Sequence, residues 1–478
     1  MIFSSPHYIF IFLPIVFFGY FFLCKINKQY AALFLILSSL FFYSYWKLEF
    51  LPIIIFSILF NYYISVLIFK KNKKNLLITG IVFNLLVLFF FKYLDFFLSN
   101  LGILMEIEFS KYNLAFPLAL SFFTLQQITY LVDVYESNVK PKSLKEHFLF
   151  VSFFPQLIAG PIVYYKNLVP QFQNQENNKI NLSNVSLGIF YFSIGIFKKS
   201  IGDYLGTFAD VGFNNFEYLT LVDSWIASYS FTLQLYFDFC GYTDMALGSA
   251  LLFNIKLPRN FNNPLMSLGM INFWKNWHIT LTSFIFAYVY TPILKSFNSI
   301  SYFKIMFVTL LCFLITGLWH GASWGFLIFG AINGLGVVIN HLFNKLNFKL
   351  PSLISWILTI LTFNISCIFF RSENLNQSYQ IIKKMFDLNN IVLPVYFNQT
   401  FLSKFNFFIM RDHSIYSQDL VMNIKIILIV TFGLFIFKYI NLVNKFKINY
   451  IYVALIVVMI VLSVFMQQYS YPFIYFKF

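Results

Sequence analysis

Charge is scarce in this chain. Asp, Glu, Lys and Arg make up 11% of its 478 residues, against about 25% in an ordinary soluble domain. Acid is scarcer still, with 18 Asp and Glu against 33 Lys and Arg and a formal net charge of +15. So little charge cannot give a soluble globule of this size a wet exterior. A soluble enzyme and a disordered protein are therefore excluded. Nucleic acid is not the expected partner of the positive excess, because the lysines sit in short runs between apolar stretches, as in a polytopic membrane protein. Four cysteines (24, 240, 312 and 367) lie far apart in apolar settings and form neither a disulfide framework nor a metal knuckle. There is no C-x-x-C, H-x-x-x-H or His–carboxylate cluster, no Walker loop and no dinucleotide fingerprint, so no bound metal or cofactor is expected. Gly/Ser linkers, a long charged tail and a repeat of 20–50 residues are also missing, and residues 1–478 read as a single polytopic domain.

Apolar and aromatic residues take the place of charge. Hydrophobic residues reach 59%, with 68 Phe, 31 Tyr and 7 Trp. A membrane-crossing helix needs about 20 apolar residues. By that ruler the spans are 8–24, 29–46, 50–70, 75–94, 114–132, 183–201, 224–252, 304–319, 323–343, 352–370, 424–440 and 449–466. Interrupted or short stretches at 148–165 and 279–294 read as re-entrant or buried elements, whose irregular backbone protein must shield. The result is an all-α integral membrane protein with about 11–13 membrane segments. A closed barrel would need alternating strands of about 10 residues. Residues 1–7 lack the cationic start of a secretory signal, so 8–24 reads as a retained span. Lys25 and Lys28 follow the first span and Lys70, Lys71, Lys73 and Lys74 the third. The connection after the fourth carries Asp95, Glu106 and Glu108 against Lys92 and Lys111. Lysine-rich connections stay in the cytoplasm, which puts the N-terminus outside.

Each polar group at membrane depth is costly, about 2.5–3.5 kcal/mol for a charge on insertion scales, and so carries information. Five stretches stand out. In 117–135, Ser121, Thr124 and Gln127, beside Gln126, lie roughly along one helical face, as interhelical hydrogen bonders or as the lining of a substrate tunnel. Two prolines and a glycine within 154–162 break any helix and suit a re-entrant loop or a kinked connection. Gln234, Asp238 and Tyr242 recur at i, i+4, with Asp238 either paired or capping a break near Gly241. Asp244 falls on another face if the helix continues, which disfavours an acid/base dyad. In 273–281, Trp274 and His278 stand four apart, with Trp277 beside them and His278 four before Thr282. That cluster reads equally well as an interfacial anchor. Finally, Trp319 and His320 sit between two long apolar stretches, with Thr316 one turn back as a candidate to fix the imidazole tautomer. Residues 321–325 match Gly-x-Ser-x-Gly, but a nucleophile elbow needs a strand, a turn and a helix, whereas the surroundings read as continuous apolar helix. The glycines there and at 330 and 334 read as close helix packing.

Taken in order, several segments resemble the membrane-bound O-acyltransferases, above all the bacterial branch that acetylates alginate and peptidoglycan. They are Phe3-Ser4-Ser5-Pro6, Phe91-Lys92-Tyr93, PLALSFFTLQQITYLVDVY at 117–135, FFPQLIAGPIV at 153–163 and QLYFDFCGYTDMALG at 234–248. NFNNP at 260–264, FWKNWHITLTSF at 273–284, GLWHGASWGF at 317–326, Phe369-Phe370-Arg371-Ser372 and PFIYFKF at 472–478 follow. The resemblance implies a ring of tilted helices and re-entrant segments around a central funnel or tunnel. It makes His320, in the WHG context, the catalytic histidine, and His278 a second essential or supporting one. Gln126, Gln127, Gln234, Asp238, Trp274, Trp277 and Trp319 become tunnel candidates. The implied reaction joins cytoplasmic acetyl-CoA, a substrate rather than a bound cofactor, to a polysaccharide hydroxyl outside a bacterial inner membrane. An esterase-like secreted or membrane-anchored partner often works with such proteins. The chain departs from the family where an Arg-Asp pair usually precedes the Tyr of the His278 segment: Phe286-Ala287 stands there, and Leu294-Lys295 stands where Gly-Gly is usual.

A hydroxyl is a poor nucleophile until a positioned base takes its proton, and an imidazole near neutrality is suited to that task. On this reading His320 deprotonates the acceptor while His278 orients it or polarises the carbonyl. D-alanyl transfer to teichoic acid is the alternative within the enzyme class, separated by the thioester donor consumed. A transporter coupled through Asp133, Asp238 and Asp244 would move solute without consuming thioester. A non-catalytic scaffold would tolerate loss of both histidines. The AT-rich coding bias behind so much Phe, Ile, Asn, Lys and Tyr tilts the acceptor towards peptidoglycan.

Overall fold

A computed structural model describes residues 1–393, 409–410, 415–416, 420–436, 443, 446–466 and 471–474. Among these it is helical apart from a two-residue parallel pairing of β1 (Val392–Leu393) with β2 (Ile409–Met410). The chain is a multi-pass membrane protein. Seven helical runs among the described residues are long and apolar enough to cross a bilayer: His7–Ile26, Leu48–Lys71, Lys74–Met105, Leu182–Asn214, Tyr302–His320, Trp324–Lys345 and Ser352–Arg371. The segment expected at 424–440 lies partly outside the described residues. Backbone contacts divide the chain into two compact units, the first of residues 1–196, 241–260 and 446–460, the second of 197–240, 261–445 and 461–478.

The first unit holds α1 (Leu13–Ile26), α2 (Lys28–Ser44), α3 (Leu51–Lys71), α4 (Lys74–Leu88), α5 (Leu94–Met105) and α6 (Leu120–Tyr135). It continues with α7 (Leu144–Ser152), α8 (Phe154–Leu157), α9 (Tyr165–Gln173), and parts of α10 (Leu182–Asn214) and α11 (Leu221–Leu252). The N-terminal motif is a packing device. Phe3 is fully buried, stacked on Tyr242 at 4.8 Å and on Phe42 at 5.6 Å, while the Tyr8 hydroxyl donates to Ser249 Oγ at 2.7 Å. The fourth span outruns its expected end, since helix continues through a π-helical turn at Phe89–Tyr93 to Met105. Lys92 is therefore not a loop charge: its ammonium lies 3.4 Å from Ser121 Oγ and over the Phe116 ring. Asp95 accepts the amides of Tyr112 and Asn113 at 2.9 Å each and holds the returning chain. The proline-rich stretch after α7 forms only the single turn α8 before it becomes irregular, and it is buried throughout 153–163. Buried backbone at membrane depth must find partners. Accordingly Phe154 N–H donates to Ser39 Oγ (3.1 Å) and Gln156 Nε2 to the Phe150 carbonyl (2.6 Å).

The two long helices carry a small-residue stripe that the motifs do not include: Gly188, Gly195 and Gly202 recur every seven residues in α10. In the first unit a Cβ at Gly188 would sit 2.8 Å from the Gly248 carbonyl oxygen, and one at Gly195 2.7 Å from that of Gly241. A seven-residue small-residue repeat lets backbones approach along a shallow left-handed crossing.

The second unit contains α12 (Met270–Asn276), α13 (Ile279–Ile285), α14 (Thr291–Lys295), α15 (Tyr302–His320), α16 (Trp324–Lys345), α17 (Ser352–Arg371), α18 (Leu375–Met385) and α19 (Leu420–Ile436). A last helix, α20 (Tyr450–Phe465), belongs to the first unit up to Ile460 and to the second from Val461. In this unit Gly202 faces the Asp238 amide, 2.9 Å from a built Cβ, and Gly206 faces Gln234. α15 and α16 form a close antiparallel hairpin. A Cβ at Gly317 would lie 2.3 Å from the Phe326 carbonyl oxygen, one at Gly330 2.4 Å from that of Phe313, and one at Gly334 2.9 Å from Phe313 Cβ. These are the close-packing glycines of the sequence. The run around 321–325 is not continuous helix, however: α15 stops at His320 and α16 starts at Trp324. No strand precedes the break, so Gly-x-Ser-x-Gly is here a turn between helices.

Candidate active site

The site lies in the second unit. His320 ends α15, where Gly321 takes an extended conformation and lets the chain turn back. His278 reaches the same region by a different break. α12 stops at Asn276, His278 adopts left-handed backbone angles (φ 41°, ψ 53°), and α13 begins at Ile279. The expected i, i+4 relation of Trp274 and His278 on one helix is thus replaced by a corner. Thr282 Oγ1 supports it by donating to the Trp274 carbonyl at 3.2 Å. A non-glycine residue held at positive φ costs about 1–3 kcal/mol and persists only when its surroundings over-determine it. Here they do. Phe239 packs edge-on at 4.7 Å from the His278 ring, and Trp277 is enclosed by Phe273 (5.6 Å), Phe261 (5.2 Å) and Phe363 (4.8 Å).

Trp319 joins the two imidazoles. Its ring centroid lies 6.1 Å from His278 and 5.0 Å from His320, so the histidine rings are at most about 11 Å apart. Phe329 and Phe370 close on His320 edge-on, at 5.7 and 5.3 Å. Both histidines are buried, His278 at 1% exposure and His320 at 4%. Neither nitrogen of His278 has a hydrogen-bond partner among the described residues. The same holds for Trp274 Nε1, although Trp274 is packed against Phe313 at 5.1 Å. The Thr316 hydroxyl, the candidate to fix the His320 tautomer, donates to the Cys312 carbonyl at 2.8 Å.

The remaining candidates divide. Asp238 is paired and α11 runs unbroken through Gly241. Its Oδ1 lies 2.9 Å from Lys199 Nζ and its Oδ2 accepts the Ile474 amide at 2.8 Å. Lys199 also contacts Asp203 and donates to the Tyr471 carbonyl at 2.9 Å. Lys199 is the buried charge that motif reading missed, its only signal being a lysine four before Asp203 in an apolar run. Gln234 stands one turn before Asp238 against Gly206, with Oε1 buried and unpartnered among the described residues. Arg371, from the Phe-Phe-Arg-Ser motif, pairs with Asp210 at 2.7 Å. Gln126 and Gln127 belong to the first unit, where both are buried and the Gln127 amide has no partner among the described residues. No group of His, Cys, Asp or Glu among the described residues is arranged to hold a metal ion.

Two buried imidazoles, an intervening indole and a wall of phenylalanines make a dry setting in which an imidazole can take up a proton. Residues 9–379 match the model of MBOAT, the membrane-bound O-acyltransferase family. The chain belongs to that family. It is an O-acyltransferase. It is 39% identical over 429 residues to a peptidoglycan O-acetyltransferase of Helicobacter pylori, covering 82% of this chain and 81% of that protein. It is 33% identical over 399 residues to a probable alginate O-acetylase of Pseudomonas aeruginosa, covering 81% of this chain and 75% of the relative. A teichoic acid D-alanyltransferase of Bacillus subtilis is 25% identical over 258 residues, half of this chain and 64% of that protein.

Proposed function

We propose that this O-acyltransferase moves an acetyl group from cytoplasmic acetyl-CoA to a hydroxyl serving an extracytoplasmic polysaccharide, with peptidoglycan as the first candidate. The observation that carries the reading is the pair of buried histidines around Trp319 in the second unit. The two O-acetylating relatives, similar over about four fifths of the chain, support the acetyl group and the glycan. The acceptor oxygen attacks the thioester carbonyl as its proton passes to His320. The carbon–sulfur bond then breaks, and the proton follows from the imidazolium to the departing thiolate, leaving an ester and free CoA. His278, held at its corner, polarises the carbonyl or aligns the acceptor. The protein sits in the bacterial inner membrane with Lys70, Lys71, Lys73 and Lys74, all exposed where α3 ends and α4 begins, on the cytoplasmic face and the N-terminus outside. An esterase-like partner passes the acetyl group on to the polymer.

The test is mass spectrometry of ester-linked acetate on cell-wall sugars from cells carrying the wild-type chain or His320→Ala at equal membrane abundance. Loss of ester with the variant is expected, and undiminished ester overturns the role of His320. Membranes supplied with acetyl-CoA or with a D-alanyl thioester carrier separate acetyl from D-alanyl transfer. Turnover of the D-alanyl donor alone overturns the acetyl reading.

A further inference from the structure

The second unit contains a cavity of about 580 Å³ whose lining includes neither His278 nor His320. It lies between α12 and α13 on one side and α15 and α16 on the other. Its size is that of a small-molecule site. Its three threonine hydroxyls are spent on backbone: Thr282 donates to the Trp274 carbonyl, Thr309 to Ile305 and Thr316 to Cys312. The walls therefore present mainly methyls and rings. Phe286, at the wall, is 60% exposed on the outside of the protein, where a membrane protein meets lipid tails. Two lining side chains are cationic or can become so, Lys275 and His341, and none of the lining residues among those described is acidic. One turn past His341, Lys345 lies over the Tyr302 ring at 4.1 Å. The imbalance extends far beyond the cavity. From residue 245 to 372 the sequence has no Asp or Glu, while Lys256, Arg259, Lys275, Lys295, Lys304, Lys345, Lys349 and Arg371 fall within it.

We propose that this cavity binds an anionic phospholipid of the surrounding bilayer, one acyl chain lying between α13 and α15 and the phosphate held by Lys275 and His341. Charge complementarity selects the headgroup: a cluster of cations without a carboxylate in its own stretch of chain attracts an anionic lipid by about 1 kcal/mol per Lys or Arg near the surface. The apolar walls and the exposed Phe286 select a lipid that arrives sideways from the membrane, in preference to a nucleotide-bearing thioester that arrives from water. The site does not depend on the chemistry at His320.

The experiment is native mass spectrometry of the purified full-length protein, titrated with phosphatidylglycerol or phosphatidylcholine of identical chains. Wild type should retain one phosphatidylglycerol at least tenfold more tightly than phosphatidylcholine. The double variant Lys275→Gln/His341→Gln, altered at the edge of the fold, should lose that preference. Cys312→Phe, which fills the cavity, should lose both lipids, and unchanged thermal melting of the double variant guards against misfolding as the cause. Equal retention of the two lipids, or an undiminished preference in the double variant, overturns the proposal. Displacement of bound phosphatidylglycerol by acetyl-CoA at equal concentration also overturns it, by giving the cavity to the acyl donor.

Discussion

Two polar clusters of the second unit, both in apolar surroundings, differ in how their hydrogen bonds are used. Around Lys199, the ammonium contacts Asp203, Asp238 and the Tyr471 carbonyl, and the second oxygen of Asp238 takes the Ile474 amide. Around His278, both ring nitrogens and the neighbouring Trp274 N–H are buried with no partner among the described residues. A buried polar group without a partner costs about 1–3 kcal/mol. The first cluster has settled its electrostatics internally and serves the fold. The second retains hydrogen-bonding capacity beside His320, where an acyl donor and an acceptor can use it. Sequence periodicity treats the two alike, since each is a few polar residues in apolar helix.

His320→Ala is the sharpest way to break the contrast. Removing a positioned base costs typically 10²–10⁴-fold in rate. Acetyl transfer should fall by about that factor, measured as ester formed per membrane-resident protein, while thermal melting stays unchanged. The Lys199 cluster should respond in the opposite sense. Lys199→Met leaves two buried carboxylates facing one another, and breaking a buried ion pair costs about 3–5 kcal/mol. The variant should melt far below wild type in detergent. Asp238→Asn keeps one ion pair and an acceptor for the Ile474 amide, so it should cost roughly 1 kcal/mol. Equal melting of the two variants would remove the distinction drawn here.

His278→Asn tests the corner separately from the imidazole. Asn tolerates left-handed angles better than most residues, so the backbone at φ 41° should survive. If the imidazole contributes to the transition state as a hydrogen-bond donor does, loss of about 10²-fold in rate is expected with unchanged melting. A variant that melts lower and turns over normally would make His278 a structural residue.

What the sequence discloses follows the periodicity of its elements. The long apolar runs of α15, α16 and α17 emerge at nearly their expected limits, because burial against lipid needs length and little else. The histidines are visible because polar residues are rare in this background. The corner at His278 is not visible. Helix to Asn276, an extended Trp277, a left-handed His278 and helix again from Ile279 have the same pattern as one continuous helix, and the break goes with the packing of Trp277 among Phe261, Phe273 and Phe363. The partner of Asp238 is hidden for another reason: Lys199 is 39 residues away, and its approach depends on the glycine stripe of α10. Gly202→Ala probes that dependence. A Cβ there would stand 2.9 Å from the Asp238 amide, so one helix must shift. Overpacking of this kind costs about 1–3 kcal/mol, and the Lys199–Asp238 contact should loosen with it.

The smallest expected effect isolates the unspent hydrogen bond itself. Trp274→Phe keeps an aromatic ring against Phe313 and removes the unpartnered N–H. Loss of ring area destabilises, and removal of an unsatisfied donor stabilises by about 1–3 kcal/mol. The two terms oppose, so melting should move by less than about 1 kcal/mol. Trp277→Phe removes a ring of the same type from the aromatic wall without this compensation and should melt lower than Trp274→Phe. If Trp274→Phe is instead the more damaging of the two, its N–H has a partner in the folded protein, and the contrast between a satisfied and an unspent cluster narrows to the two nitrogens of His278.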